Sequence, residues 1–168
     1  MNPSTLNTSL LAVLPEILLL ILAFGVMGYD LFLPERWKKL LGRVAIIGFI
    51  VVLVVDLLLP AIGPAFGGMV YVDGWVALYR MIFLAAAILV CFISLDARGL
   101  EQNGEYYGLL VFATMGMSLM AASHDLVMLY IAIETTGISL YLLAGFMRAD
   151  KRSAESGLKY FLFGAHGV

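Results

Sequence analysis

Five apolar runs, each close to the length that crosses a bilayer as a helix, leave this chain of 168 residues little choice of fold. They cover residues 10–33, 44–61, 75–95, 106–122 and 126–146. A spanning helix needs about 20 mostly apolar residues, because the hydrocarbon core leaves backbone polar groups no water to bond. A sixth helix is expected from Ser153, an N-capping residue type, with Glu155 in its first turn. Residues 156–168 would extend roughly 20 Å, short of a full crossing. The expectation is an all-α integral membrane protein with five complete transmembrane helices plus a truncated sixth, the N-terminal part of something longer. Composition agrees: 62% of residues are hydrophobic and 13% charged, against about a quarter charged in a soluble domain. One cysteine excludes a disulfide scaffold, and a net charge of −2 gives no footprint for nucleic acid.

Orientation follows from the basic residues of the short loops. Arg36, Lys38, Lys39 and Arg43 lie between the first two runs, Arg98 between the third and fourth, and Arg148, Lys151 and Arg152 after the fifth. The opposite side has none. The positive-inside bias makes these loops cytoplasmic and the N-terminus extracytoplasmic. Residues 60–74, with their Gly and Pro, read as a looser extracytoplasmic connection. Ser123, His124 and Asp125 form a turn so short that the fourth and fifth helices must be antiparallel neighbours.

Glu16, Asp56, Arg80, Glu134 and Lys159 stay inside apolar runs. Intramembrane charge is costly, so each implies a partner, a polar interior or an ion path. Glu134 is ninth in its run, about 12 Å from the start and near the bilayer midplane. Tyr130, Thr135, Thr136 and Gly137 surround it with hydroxyls and room for a neighbour. It either handles protons or ions, or joins helices as a protonated hydrogen-bonding group. Lys159 either serves such a path or snorkels to the surface, with Glu155 as its i−4 partner. Arg80, near Trp75 and Tyr79, reads as an interfacial anchor, and Glu16 and Asp56 as structural. His124 is expected to solvate or cap. Cys91 and the methionines read as packing groups. Phosphate loops, Cys-x-x-Cys pairs and zinc motifs are absent from the sequence.

Several separated segments carry a resemblance. They are Gly104-Glu-Tyr-Tyr107, Leu110 through Ala121, Asp125 through Glu134, Ser139 through Phe146 and Ser153 through Gly164, with Leu14-Pro15-Glu16 and Asp73-Gly74-Trp75 upstream. Together they resemble the family of chain N, mitochondrial subunit 2, of the proton-pumping NADH-quinone oxidoreductase, respiratory complex I. That resemblance implies an antiporter-like inverted-repeat fold. Residues 10–95 would hold three peripheral helices and 106–168 the start of the first repeat. It implies Glu134 and Lys159 as proton-path residues, with the charge partner of Glu134 further along the chain. It implies no cofactor in this chain, with NADH, FMN, iron-sulfur clusters and quinone handled by other subunits. The implied partners are the other membrane-arm subunits and the lipid of the cell's inner (plasma) membrane. Thr135-Thr136 and His166-Gly167 depart from the family pattern.

Two other readings compete. One is a subunit of a multisubunit cation/proton antiporter or membrane-bound hydrogenase, which shares the charged-helix plan. The other is a structural or assembly subunit whose buried charges only hold helices together.

Overall fold

The structure, a computed structural model, describes residues 3–97, 103–147 and 150–166. Arg98 and Arg148 of the basic loops, and Gly167, lie outside them. The described residues form seven helices and one small hairpin: α1 (Pro3–Ala12), α2 (Leu14–Phe32), α3 (Glu35–Leu58), β1 (Gly63–Ala65), β2 (Val70–Val72), α4 (Gly74–Ser94), α5 (Gly104–Ala122), α6 (Leu126–Ala144) and α7 (Lys151–His166). By length and composition, four of them can cross a membrane: α2, residues 40–58 of α3, α4 and α6.

The first apolar run is not one helix. Pro15 has no N–H to continue the hydrogen-bond ladder, and its ring clashes with the carbonyl four residues back, so the run breaks at Val13. Beyond the break, α2 begins with Pro15 in its first turn, a position that tolerates the missing donor. In the opposite sense, α3 starts nine residues before the expected 44, directly after Pro34. Its polar opening turns extend the helix past the apolar run, and Lys38 there pairs with Asp30 of α2 at 3.4 Å.

α5 is the centre of the bundle and packs against α2, α3, α4 and α6. It is as long as α2 and α6 but less apolar, because neighbouring helices rather than lipid cover it. Glycines, alanines, Thr114 and Ser118 on α5 are buried and let adjacent backbones approach. The main core joins Leu19, Phe49, Leu84, Cys91, Tyr107 and Val111 from α2, α3, α4 and α5. Cys91 is therefore a packing group, as expected.

Residues 60–74 are not a loose connection. β1 and β2 pair antiparallel, Gly63 opposite Val72 and Ala65 opposite Val70. Gly67 and Gly68 take left-handed φ values of 68° and 94° in the turn, which is why glycine stands there. Ser9 of α1 accepts the Phe66 N–H, and Val70 bridges Ser123. The hairpin thus ties α1 to the α5–α6 turn, over a second core of Ala12, Ala65, Val70, Val72, Val76 and Ala122. Asp125, not His124, caps α6, accepting the Val127 N–H at 3.1 Å. His124 donates its backbone N–H to the Met69 carbonyl and sets its ring against Tyr71.

The start of the last helix also differs. Asp150 accepts the Arg152 N–H, the position expected for Ser153. Ser153 lies inside α7, donating to the Ala144 carbonyl and accepting from the Met147 N–H, so it fastens α7 to the end of α6.

Candidate functional site

Among the described residues, the three charged side chains that are fully buried meet at one place, at the hairpin end. Arg80 of α4 is 1% exposed. Its Nη2 lies 2.8 Å from Glu16 Oε1 of α2, and its Nη1 3.4 Å from Asp56 Oδ1 of α3. Nη2 also donates to the Ala12 carbonyl at 3.1 Å. That carbonyl belongs to the last turn of α1, where helix carbonyls have no intrahelical partner and the helix dipole is negative. Ser118 of α5 donates its hydroxyl to Glu16 Oε1. A single guanidinium therefore links α1, α2, α3 and α4, and Glu16 extends the link to α5.

Arg80 is thus not the interfacial anchor expected from its neighbours. Trp75 and Tyr79 do face outward, but Arg80 turns from them into the bundle. A guanidinium is always charged and offers donors in a rigid fork, so two carboxylates across a helix junction suit it better than a point cation would. The signal was present in the sequence. Glu16 stands third in α2, Asp56 third from the end of α3 and Arg80 seventh in α4. Consecutive antiparallel helices place those three positions in one layer.

Glu134 is ninth of the 19 residues of α6 and half-buried. The hydroxyls expected to reach it do not. Thr135 and Thr136 bond back to the Ile131 and Ala132 carbonyls of their own helix, and Tyr130 faces outward. Among the described residues, Glu134 has no hydrogen bond or ion pair. A Cβ on Gly116 of α5 would lie 2.8 Å from the Thr136 backbone nitrogen, so α5 and α6 touch backbone to backbone two residues from Glu134, on the opposite face of α6.

Lys159 pairs with Glu155 at 2.5 Å, both side chains 63% exposed on α7. The structure thus brings Glu16, Asp56 and Arg80 together, and leaves Glu134 and Lys159 on separate helices with no hydrogen bond or ion pair between them. Among the described residues no group of His, Cys, Asp and Glu is arranged to hold a metal.

The comparisons with known proteins agree with each other. The family model described as NADH:quinone oxidoreductase/Mrp antiporter, TM, matches residues 123–168, which contain both Glu134 and Lys159. A chain of respiratory complex I from Thermus thermophilus, solved with bound aureothin, superposes with a TM-score of 0.73 at 27% identity, over 90% of this chain and 33% of that one. The chain is therefore similar to part of an antiporter-like membrane subunit. NADH-quinone oxidoreductase subunit N 1 of Solibacter usitatus is 39% identical over 90% of this chain and 32% of its own length. Subunit N of Chloroflexus aggregans is 43% identical over 80% of this chain and 28% of its own length. The chain is similar to subunit N of NADH-quinone oxidoreductase, and it spans about a third of the length of these curated relatives.

Proposed function

We propose that this chain forms part of the membrane arm of an NADH-quinone oxidoreductase and takes part in the proton translocation that accompanies electron transfer from NADH to quinone. The observation that carries the reading is the similarity to subunit N along nine-tenths of the chain. The redox cofactors and quinone chemistry belong to other subunits, and this chain contributes a non-redox, translocating role. The family model's mention of antiporters supports a second reading, a subunit of a cation/proton antiporter. The subunit N relatives favour the first.

In this reading α2 to α6 are five spans and α7 begins a sixth. At 19 residues, α5 is about 28 Å long, which suffices for a crossing once protein covers it. Residues 10–95 serve as peripheral helices and 106–168 open the first repeat. The membrane is the plasma membrane, with the N-terminus and the hairpin outside. Cysteine labelling checks this topology: Met69→Cys, on the exposed hairpin, should react with an impermeant reagent added to whole cells, and Lys151→Cys should not. The reverse pattern would invert the assignment.

Glu134 and Lys159 are proposed as proton-path groups. Mid-helix depth supports Glu134, and the Lys159 assignment rests on the family resemblance. Glu134→Gln keeps size and hydrogen bonding but removes the titratable group. Lys159→Arg keeps a long charged stem, but the guanidinium does not release its proton. In the full-length protein within its reconstituted complex, both variants should assemble. NADH-driven proton uptake into liposomes should fall at least about tenfold, within the range that positioned proton-transfer groups contribute. Wild-type pumping by assembled Glu134→Gln would make Glu134 a packing residue, and wild-type pumping by Lys159→Arg would make Lys159 a surface anchor.

A further inference from the structure

We propose that the Glu16–Asp56–Arg80 cluster is a proton-binding site, in which the two carboxyls share one exchangeable proton that enters through a chamber at the hairpin end. The charge balance comes first. Two carboxyls face one guanidinium, and each of the three side chains is at least nine-tenths buried. Among the described residues, the elements packed around them add no second cation: α1 presents the Ala12 carbonyl and α5 the Ser118 hydroxyl, beside Glu16 from α2, Asp56 from α3 and Arg80 from α4. With both acids ionised, the cluster would hold one uncompensated negative charge against the negative end of the α1 dipole. Buried charge of that kind is removed by binding a proton.

The second observation is where the unused polar atoms lie. Asp56 Oδ2 and Arg80 Nε are buried without a hydrogen-bond partner, and so is Glu16 Oε2. Asp56 and Arg80 line a cavity of about 150 Å³ that extends to Pro60, Ile62 and Val72 below the hairpin. A water takes about 30 Å³ and needs two to four polar partners, so this chamber accommodates a short chain of waters. Glu16 borders a larger cavity of about 420 Å³ on its other side, whose remaining lining, including Phe66, Met115 and Met128, is apolar. That cleft offers water no polar partner besides Glu16, whereas the smaller chamber presents Asp56 and Arg80, so exchange runs through the smaller chamber. The site stands apart from Glu134 and does not depend on its role.

Infrared difference spectroscopy tests the assignment on the full-length protein in its native complex, held in lipid nanodiscs, with no readout of pumping. The wild type should show a protonated-carboxyl carbonyl band near neutral pH that shifts down in D2O and disappears at alkaline pH. Both Glu16→Gln and Asp56→Asn should abolish it, because either change leaves one carboxylate matched to one guanidinium. Carboxyl-13C aspartate and, separately, carboxyl-13C glutamate should each shift the wild-type band, which reads the shared proton without any substitution. Absence of the band, its persistence in both variants, or its response to only one of the two labels would each overturn the proposal.

Discussion

Arg80→Met should destabilise the folded protein by about 3–5 kcal/mol, the range observed when one partner is removed from a buried ion pair. The cost does not come from lost attraction alone. Two carboxyls would remain in a closed layer between α2 and α3, and the α1 terminus would lose the donor on its Ala12 carbonyl. Unfolding of the full-length protein in mild detergent measures the effect. Hydrogen exchange in residues 3–12 should rise with it, since α1 is otherwise held mainly through the hairpin. Buried ion pairs are often replaceable by apolar groups of similar volume. Combining Arg80→Met with Glu16→Leu and Asp56→Leu should therefore recover most of the loss. A single-variant shift below about 1 kcal/mol, the size of an exposed pair, would show that water screens the cluster.

The helices were legible in the sequence because lipid imposes length and apolarity on every exposed span. Runs 75–95 and 126–146 match α4 and α6 to within two residues. Legibility failed where a local rule overrode hydropathy: at Pro15, which divides the first run, and at Glu35, where a polar segment continues as helix. Residues 60–74 looked loose because their glycines were read as flexibility. They are instead the left-handed turn positions of a hairpin held by α1 and the α5–α6 turn. The buried cluster was missed for a different reason. Glu16, Asp56 and Arg80 each have a bland explanation on their own helix, although their common depth on consecutive helices points to a shared layer. Glu134 stands out in the sequence by its depth in an apolar run and Lys159 through the family pattern, and no contact within this structure singles out either.

The second large effect is expected at the α5–α6 contact. Gly116→Ala adds one methyl, at a point 2.3 Å from Thr136 Oγ1, 2.8 Å from the Thr136 backbone nitrogen and 3.1 Å from the Ala132 carbonyl. A hydroxyl rotates away, but two backbone atoms do not, so the helices must separate. Thr136 is buried and bonded to the Ala132 carbonyl, which limits even the side chain's retreat. Overpacking of this kind costs roughly 1–3 kcal/mol, and close helix approach through small residues is the main source of packing between helices in lipid. Thr136→Ala in the same chain should recover only the part due to Oγ1, so the double variant should remain less stable than Thr136→Ala alone. A mutant cycle on the unfolding midpoint separates the two parts. Full recovery would mean that the side chain alone sets the spacing. Because Glu134 lies two residues from this contact on α6, displacement of that helix should also lower proton uptake in assembled complexes, while Gly25→Ala, where an added Cβ meets nothing within 4 Å, should leave uptake unchanged.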